Sequence, residues 1–244
     1  MRKLAVLATM ACVAAASATV LYETQFTGGA GPEWTFSAFS GGTTPVVTSY
    51  NGSDQVRFRV GTDNTGRKES RAVVAFPTPI VIADWPEIHI QYDLTLPIGE
   101  DAGGGQLKRH NVYYDFDSVP NRFVDQTIND GGATRMIAFP GRGEINIGPT
   151  QPTETIVTMK WVFNTAANTV STYFGATQID NNLPGSLTSL TGGPTLTHFS
   201  IALVKDWWSS PGGYTCYLDN FRVTGIPEPA SLMLLALGAL LRRR

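Results

Sequence analysis

Residues 87–96 have the sequence EIHIQYDLTL, and this stretch decides the fold class. Apolar and polar side chains alternate along its whole length. The apolar members are Ile88, Ile90, Tyr92, Leu94 and Leu96, and they share one face if the chain is extended. Alternation with a period of two is typical of a β-strand that has one buried and one solvated face. We therefore expect an antiparallel sheet.

The same alternation occurs on both sides of this stretch. It is clear in residues 55–60 and in residues 155–163, where Trp161 and Phe163 lie in phase. Clusters of Gly, Pro, Asn, Asp and Ser separate these strands from further apolar stretches, and no internal segment keeps a helical period. About eleven short strands predict an all-β chain, an antiparallel β-sandwich of the jelly-roll type. The other predicted strands are residues 20–26, 71–76, 111–116, 135–139, 144–147, 170–174, 199–204 and 214–223.

The N-terminus has the pattern of a secretory signal peptide. A positive segment, Met1-Arg2-Lys3, precedes an apolar run over residues 4–15, and Ala16-Ser17-Ala18 has the small residues of a cleavage site. We expect the general secretion machinery to export the chain and signal peptidase to cut after Ala18. Cys12 would leave with this segment. Cys216 then remains as the single cysteine, so no internal disulfide is expected.

The C-terminus combines three features in a fixed order. Pro227-Glu228-Pro229 resists helix formation and holds the chain extended. An apolar, helix-favouring run follows over residues 230–241, and Arg242, Arg243 and Arg244 close the chain. The run is about 12 residues, or roughly 18 Å of helix, against a hydrocarbon core of about 30 Å. The arginines favour a cytoplasmic end, so the tail predicts transient retention at the inner membrane.

This arrangement resembles the PEP-CTERM sorting signal of Gram-negative bacteria. In that family a membrane-embedded cysteine transpeptidase, exosortase, recognises the Pro-Glu-Pro site and removes the helix. The resemblance implies this processing at Pro227, Glu228 and Pro229, followed by display at the cell surface or release into the extracellular matrix. We divide the chain into a signal peptide (1–18), a β-sandwich ectodomain (19–224) and a sorting signal (225–244).

The ectodomain resembles concanavalin-like and carbohydrate-binding jelly rolls at its two ends. Residues 21–26 and 217–224 look like the first and last strands of those folds, which commonly neighbour each other. The full chain of 244 residues has a formal net charge of −2, with charges of both signs interspersed. No basic patch predicts a nucleic-acid partner.

The last predicted strand has an irregularity at Asp219-Asn220. Cys216 and Leu218 share one phase, but Phe221 resumes on the other, and a β-bulge would restore the apolar face. Cys216 then becomes a buried, inert thiol. Asp219 has two interpretations: it ligates a structural Ca²⁺, as in many carbohydrate-binding jelly rolls, or it accepts a backbone hydrogen bond at the bulge. No other cofactor is expected.

Two stretches are candidates for sugar binding. Trp207 and Trp208 follow a predicted strand and precede a turn, where they can form a stacking platform for sugar rings or instead cap the open end of the sandwich. Tyr113 and Asp115 share the polar face of a predicted strand with Asp117. These carboxylates can bind sugar, chelate Ca²⁺ or supply acid and base to a glycosidase, but polar outer faces are also the norm in antiparallel sheets.

Three hypotheses for function follow. The first is an exported, non-catalytic protein with a structural or adhesive role, because two targeting segments flank a domain without a recognisable catalytic cluster. The second is a carbohydrate-binding module for extracellular polysaccharide that uses Trp207 and Trp208. The third is a glycoside hydrolase or polysaccharide lyase that uses Asp115 or Asp117.

Overall fold

The computed structural model describes residues 17–61, 68–95, 109–116, 122–130, 133–136, 145–149, 156–205 and 213–228. Of residues 109–116, 122–130, 133–136, 145–149, 204–205 and 214 it describes the backbone alone. This part of the chain is almost entirely strand, with one short α-helix, α1 (Leu187–Thr191), and one 3-10 turn (Ile82–Asp84). The strands are β1 (Thr19–Thr24), β2 (Trp34–Phe39), β3 (Gly42–Tyr50), β4 (Ser53–Val60), β5 (Lys68–Val81), β6 (Glu87–Thr95), β7 (Arg109–Phe116), β8 (Arg122–Asp130), β9 (Ala133–Met136), β10 (Ile145–Pro149), β11 (Ile156–Asn164), β12 (Thr169–Phe174), β13 (Thr177–Pro184), β14 (Thr195–Lys205) and β15 (Tyr214–Ile226).

The strands form two sheets whose paired neighbours are all antiparallel. The terminal sheet has the order β13-β12-β11-β6-β15-β4-β3, and β1 also pairs with β15. The opposite sheet has the order β10-β9-β8-β7-β14-β5-β2. Core side chains from both sheets pack against each other between them. The predicted all-β sandwich is confirmed, and so is the pairing of its first and last strands.

β15 organises the terminal sheet. On one side it pairs with β6 along nearly its whole length. On the other side its first half pairs with β4 and its second half with β1. The strand continues to Ile226, beyond the predicted end of the ectodomain at Thr224. Gly225 pairs with Ile88 on one side and Thr19 on the other, and the indole of Trp85 lies where a β-carbon on Gly225 would be.

The predicted bulge in β15 is confirmed. Asp219 pairs with Asp93 and Arg222 pairs with Gln91, so β15 has one more residue than β6 in this interval. Asn220 has a left-handed φ of 51°, a conformation that Asn adopts more readily than most residues. The inserted residue turns Phe221 into the core, as the phase of the sequence requires.

Phe221 lies at the centre of an aromatic cluster that joins the two sheets. Its ring centroid is 5.9 Å from Tyr22 and 6.4 Å from Tyr92 in the terminal sheet. It is also 5.6 Å from Trp34 and 5.4 Å from Phe199 in the opposite sheet. Aromatic pairs at these separations add about 0.5–1.5 kcal/mol each beyond the burial of their surface. The bulge therefore places the residue that couples the two sheets.

A polar triad supports this cluster. The Tyr22 hydroxyl of β1 donates to Glu33 Oε1 at 2.7 Å and accepts from Trp34 Nε1 of β2 at 2.8 Å. Burial and the hydrogen bond to Glu33 raise the pKa of Tyr22 well above its ordinary value, so the hydroxyl keeps its proton. The triad connects the first strands of the two sheets and leaves the Trp34 indole N–H paired.

Several local predictions can be compared with this structure. Residues 87–95 form β6, the hairpin over residues 163–170 joins β11 to β12, and Cys216 is buried and forms no disulfide. Strands β2, β3, β8 and β13 were not predicted. Among the described residues, no helix has the length and apolar character needed to cross a bilayer. The apolar runs of the signal peptide and of the sorting tail lie outside the described residues.

Candidate functional site

The sequence-predicted sugar-binding residues occupy different parts of the sandwich. Trp207 and Trp208 lie outside the described residues. Tyr113 and Asp115 lie on β7, in the middle of the opposite sheet, where they pair with Ala202 and Ser200 of β14. Asp219 belongs to the terminal sheet, so the structure does not bring it together with Tyr113 and Asp115.

An open depression on the outer face of the terminal sheet surrounds Asp219. It has a volume of about 340 Å³, within the range typical of small-ligand sites. Strands β4, β6 and β15 form its floor, and the segment after β1, the turn before β4 and the first residue of β11 form its walls. All but one of the lining residues are of polar type: Gln25, Thr27, Asn51, Ser53, Gln55, Asp93, Thr95, Asp219 and Asn220, with Ile156 as the apolar member.

The folding of β3 and β4 supplies one wall of this depression. The two strands are joined by Asn51-Gly52, whose φ values of 50° and 88° are both positive. Two successive residues of this kind form the tight turn that matches the twist of a hairpin. The turn brings Asn51 and Ser53 to the rim, and the alternation of β4 then places Gln55 on the same outer face.

Two carboxylates face each other across the floor. Asp93 of β6 and Asp219 of β15 are in register. Thr158 Oγ1 donates to Asp93 Oδ1 at 2.6 Å, and Asn220 Nδ2 donates to Asp93 Oδ2 at 2.8 Å. Both oxygens of Asp93 are therefore held by neutral donors, and each keeps capacity for a further donor. Like charges directly opposite one another destabilise a sheet, so this pair costs stability.

Asp219 has a perturbed titration. Burial is the main cause that raises the pKa of its carboxyl, and the negative charges of Asp93 and Asp54 raise it further. Hydrogen bonds from Asn220 and Ser53 oppose this shift. The Asn220 N–H donates to Asp219 Oδ1 at 2.8 Å. The depression is therefore a region of negative potential.

Gln55 completes the floor with an amide that is only 5% exposed. Its Nε2 donates to Ser53 Oγ at 2.8 Å and to the carbonyl of Tyr50 at 3.4 Å. Its Oε1 is buried and has no hydrogen-bond partner in the described structure. A buried acceptor left in this way costs about 1–3 kcal/mol. The unpaired group of Gln55 is therefore an acceptor, which a hydrogen-bond donor would satisfy.

The calcium ion expected at Asp219 stays a prediction. Within the described ranges, no group of three or more His, Cys, Asp or Glu side chains is arranged to hold a metal ion. The hydrogen bond from the Asn220 N–H agrees with the alternative interpretation, in which Asp219 binds backbone at the bulge.

Sequence reasoning found Asp219 and missed its partners. Asp93 was recognised only as a member of the polar face of residues 87–96, and Ser53 and Gln55 only as polar residues near or in a predicted strand. The available signal was the phase slip at Asp219-Asn220, since bulges often re-aim side chains near functional sites. What the sequence did not contain was the pairing of β15 with both β6 and β4.

Three of the residues expected to direct processing are described, and they lie at one end of the sandwich. Ala18 is exposed directly before β1, and Thr19 pairs with Gly225. Pro227 is half-buried and Glu228 is exposed directly after β15. The other processing and topology residues lie outside the described part of the chain: Ala16, Pro229, Arg242, Arg243 and Arg244.

Comparison with known proteins identifies the fold type. No protein-family model matches the chain, and no curated protein matches it in sequence. Among solved structures it is similar to the winged bean acidic lectin complexed with methyl-α-D-galactose, with a TM-score of 0.57 and 10% identity over 85% of this chain and 99% of the lectin. It is also similar to an endo-β-1,4-glucuronan lyase from the fungus Trichoderma reesei, with a TM-score of 0.56 and 12% identity over 86% of this chain and 99% of the lyase.

A sialidase matches with a TM-score of 0.52 and 12% identity over 86% of this chain, which spans only 19% of the sialidase. At these identities the likeness establishes the architecture alone. The chain is an antiparallel β-sandwich of the lectin-like jelly-roll type, a fold that carries both binding proteins and glycan-active enzymes.

Proposed function

We propose that this protein is an exported β-sandwich that binds extracellular polysaccharide through the depression at the β15 bulge, in a structural or adhesive, non-catalytic role. The observation that carries the proposal is the depression itself. It is open, its lining residues are mostly polar, hydrogen bonds hold several of them in place, and its carboxylates present acceptors to whatever enters it.

The chemistry of the lining suits a sugar. Pyranose hydroxyls are donors, and the oxygens of Asp93 and Asp219 accept from them in charge-assisted bonds. Amide and hydroxyl groups at the rim supply both donors and acceptors. Ile156 is 62% exposed and offers an apolar surface for the C–H face of a ring. The winged bean lectin is complexed with methyl-α-D-galactose, and the lyase acts on a β-1,4-glucuronan, which supports this choice at the level of fold analogy.

A depletion assay on insoluble polysaccharides, followed by a glycan array, tests the proposal. Asp93→Ala and Asp219→Ala should abolish retention. Asp84→Ala is the matched control, because it removes an exposed carboxylate from the 3-10 turn outside the depression. The double variant Trp207→Ala plus Trp208→Ala addresses the loop platform predicted from the sequence. Retention that survives both aspartate changes and is lost only in the tryptophan variant would contradict the assignment to the depression.

A glycoside hydrolase is the second candidate for the same site. The in-register carboxylates Asp93 and Asp219 and the raised pKa of Asp219 are the observation in its favour, since glycoside hydrolysis uses a pair of carboxyl groups of which one holds its proton. Release of reducing ends from a bound polysaccharide, lost in Asp219→Asn, would replace the binding proposal with this one. Retention without release supports a binding protein.

The proposal also includes export of the protein by its N-terminal signal peptide and sorting by its C-terminal segment. Thr19 lies opposite Gly225, so both expected cleavage sites are at the same end of the β1–β15 ladder. Asp219 lies about 20 Å further along β15, at about 3.3 Å per residue. Before processing, the membrane segments would therefore hold one end of the sandwich while the depression stays away from the bilayer.

Alanine replacement of Pro227, Glu228 and Pro229 tests delivery in a host that contains exosortase. The parent should be shortened and released, and the variant should stay uncut in the inner-membrane fraction. A variant with Ser37 and Ser189 changed to alanine controls for nonspecific effects of surface substitution, because both are exposed and neither has a positive φ. Equal processing of parent and tail variant would remove exosortase from the proposal.

A further inference from the structure

The charge of the depression narrows the class of ligand. None of the described residues that line it is a Lys, Arg or His, whereas two are aspartates. A third aspartate, Asp54, lies close enough to act on the titration of Asp219, and one of its oxygens accepts from the Gly28 N–H at 3.0 Å. Anionic glycans such as polyuronates would meet three like charges there, and a cationic group would be attracted.

The hydrogen-bonding pattern of the depression also favours a cationic ligand that donates hydrogen bonds. Several donors of the depression are already in use: Thr158 and the Asn220 amide donate to Asp93, and the Gln55 amide nitrogen donates to Ser53. The two carboxylates keep lone pairs for further donors, and the side chain of Gln55, whose buried Oε1 has no described partner, lines the same depression. A ligand that pairs with these carboxylates must supply donors. An ammonium group has three donors and no acceptor.

The spacing of the carboxylates suits a single small cation. Asp93 and Asp219 are directly opposite on adjacent strands, where β-carbons lie about 4.5–5.5 Å apart. One ammonium between them can contact both carboxylates and relieve their repulsion. The neutral residues Asn51 and Thr95 and the apolar Ile156 also line the depression, so the hydroxyl groups and a ring face of the sugar would lie beside uncharged groups.

Resting on the proposed function, we propose that the depression selects polysaccharides that carry free amino sugars, with the ammonium group between Asp93 and Asp219. De-N-acetylated glucosamine polymers belong to this class. The preference concerns the C2 substituent of the sugar. An amine is favoured over a hydroxyl or an acetamide at the same position.

Three tetrasaccharides with the same β-1,4-linked backbone isolate this property. Glucosamine tetraose, N-acetylglucosamine tetraose and cellotetraose differ only in an ammonium, an acetamide or a hydroxyl at C2. Titration calorimetry of the purified protein at about pH 6, where an amine is normally protonated, should give at least about tenfold tighter binding of the glucosamine oligomer. This advantage should shrink as salt is raised, because screening weakens charge attraction at the surface.

The variants Asp93→Asn and Asp219→Asn remove the charges and keep the shape of the side chains. Each should reduce the preference for the glucosamine oligomer over cellotetraose to within about threefold, because the glucosamine oligomer loses the ion pair in addition to the charge-assisted hydrogen bonds that both oligomers lose. Asp84→Asn, the matched change outside the depression, should keep the full preference. Circular dichroism of each variant confirms that the sandwich is intact.

The outcomes separate this inference from the proposed function. Equal binding of the three oligomers, abolished by Asp93→Ala, would overturn the amino-sugar preference and leave polysaccharide binding in place. A preference that persists in both asparagine variants, or that requires added calcium, would also overturn it. Absence of binding to all three oligomers and to the glycan array would refute both.

Discussion

Substitution of Asn220 tests whether the bulge of β15 builds the depression. Asn220 combines a left-handed φ of 51° with a side-chain amide that donates to Asp93 at 2.8 Å. Asn220→Gly keeps the backbone conformation accessible and removes the amide. Asn220→Ala removes the amide and also opposes the left-handed conformation, since a β-carbon is crowded there. The two variants therefore separate the hydrogen bond from the backbone.

The expected magnitudes follow from these two contributions. An exposed hydrogen bond to a carboxylate contributes about 1 kcal/mol. A non-glycine residue without a side chain that supports the left-handed region costs about 1 kcal/mol more. Asn220→Gly should thus lower the free energy of unfolding by about 1 kcal/mol, and Asn220→Ala by about 2 kcal/mol. For a chain of this size, each kcal/mol corresponds to about 2–4 °C in Tm.

Urea unfolding of the purified protein, followed by tryptophan fluorescence, measures both changes. Asn182 is the matched control: it is exposed, has a φ of 50° and has no described side-chain hydrogen bond. Asn182→Ala should show only the backbone cost, and Asn182→Gly almost none. If Asn220→Ala is as stable as Asn220→Gly, residue 220 does not have the left-handed conformation. If neither differs from the parent, the bond to Asp93 does not contribute.

Three further substitutions have defined outcomes. Tyr22→Phe should cost about 1–3 kcal/mol in urea unfolding, because the indole N–H of Trp34 loses its acceptor; an unchanged midpoint would contradict the buried triad. Gly225→Ala should lower Tm by several degrees and expose Trp85 to quenchers such as iodide, since the new β-carbon would overlap the indole; a parent-like quenching curve would argue against this contact. Asp219→Asn should be more stable than the parent at pH 7 and lose that advantage towards pH 3.8. The raised pKa means that the folded parent loses stability as the pH rises from 3.8 through that pKa, and a constant difference across this range would exclude the shift.

The sequence predicted the strands whose faces differ most in polarity. β6 and β11 each expose one face to water and bury the other, so alternation located them within a residue or two. β2 and β3 were not predicted, because β2 is exposed over most of its length and the buried and exposed residues of β3 alternate only weakly. β3 also contains Pro45, which reduces its resemblance to a strand. Their positions depend on pairing with β5 and β4, which is tertiary information.

The candidate site was also predictable only in part, because some of its residues are marked by a local pattern and others are brought in by strand pairing. Asp219 was found because the apolar phase of β15 breaks beside it. Asp93 lies opposite Asp219 only after β6 and β15 pair in a specific register, and Gln55 arrives from β4 on the other side of β15. No local pattern encodes that a solvated carboxylate on one strand will meet another across a sheet.

The bulge connects the stability of the core to the properties of the surface. One inserted residue in β15 turns Phe221 inward, where it contacts aromatic rings from both sheets. The same residue turns Asp219 and Asn220 outward, next to Asp93. A register slip that removed the bulge would therefore expose Phe221, at a cost of about 3 kcal/mol or more. The repulsion between the two carboxylates is smaller than this cost, so the packing of the core holds the charged floor in place without a ligand. The proposed ligand would therefore enter a floor that already has its bound geometry, and such preorganisation lowers the cost of binding at a shallow surface site.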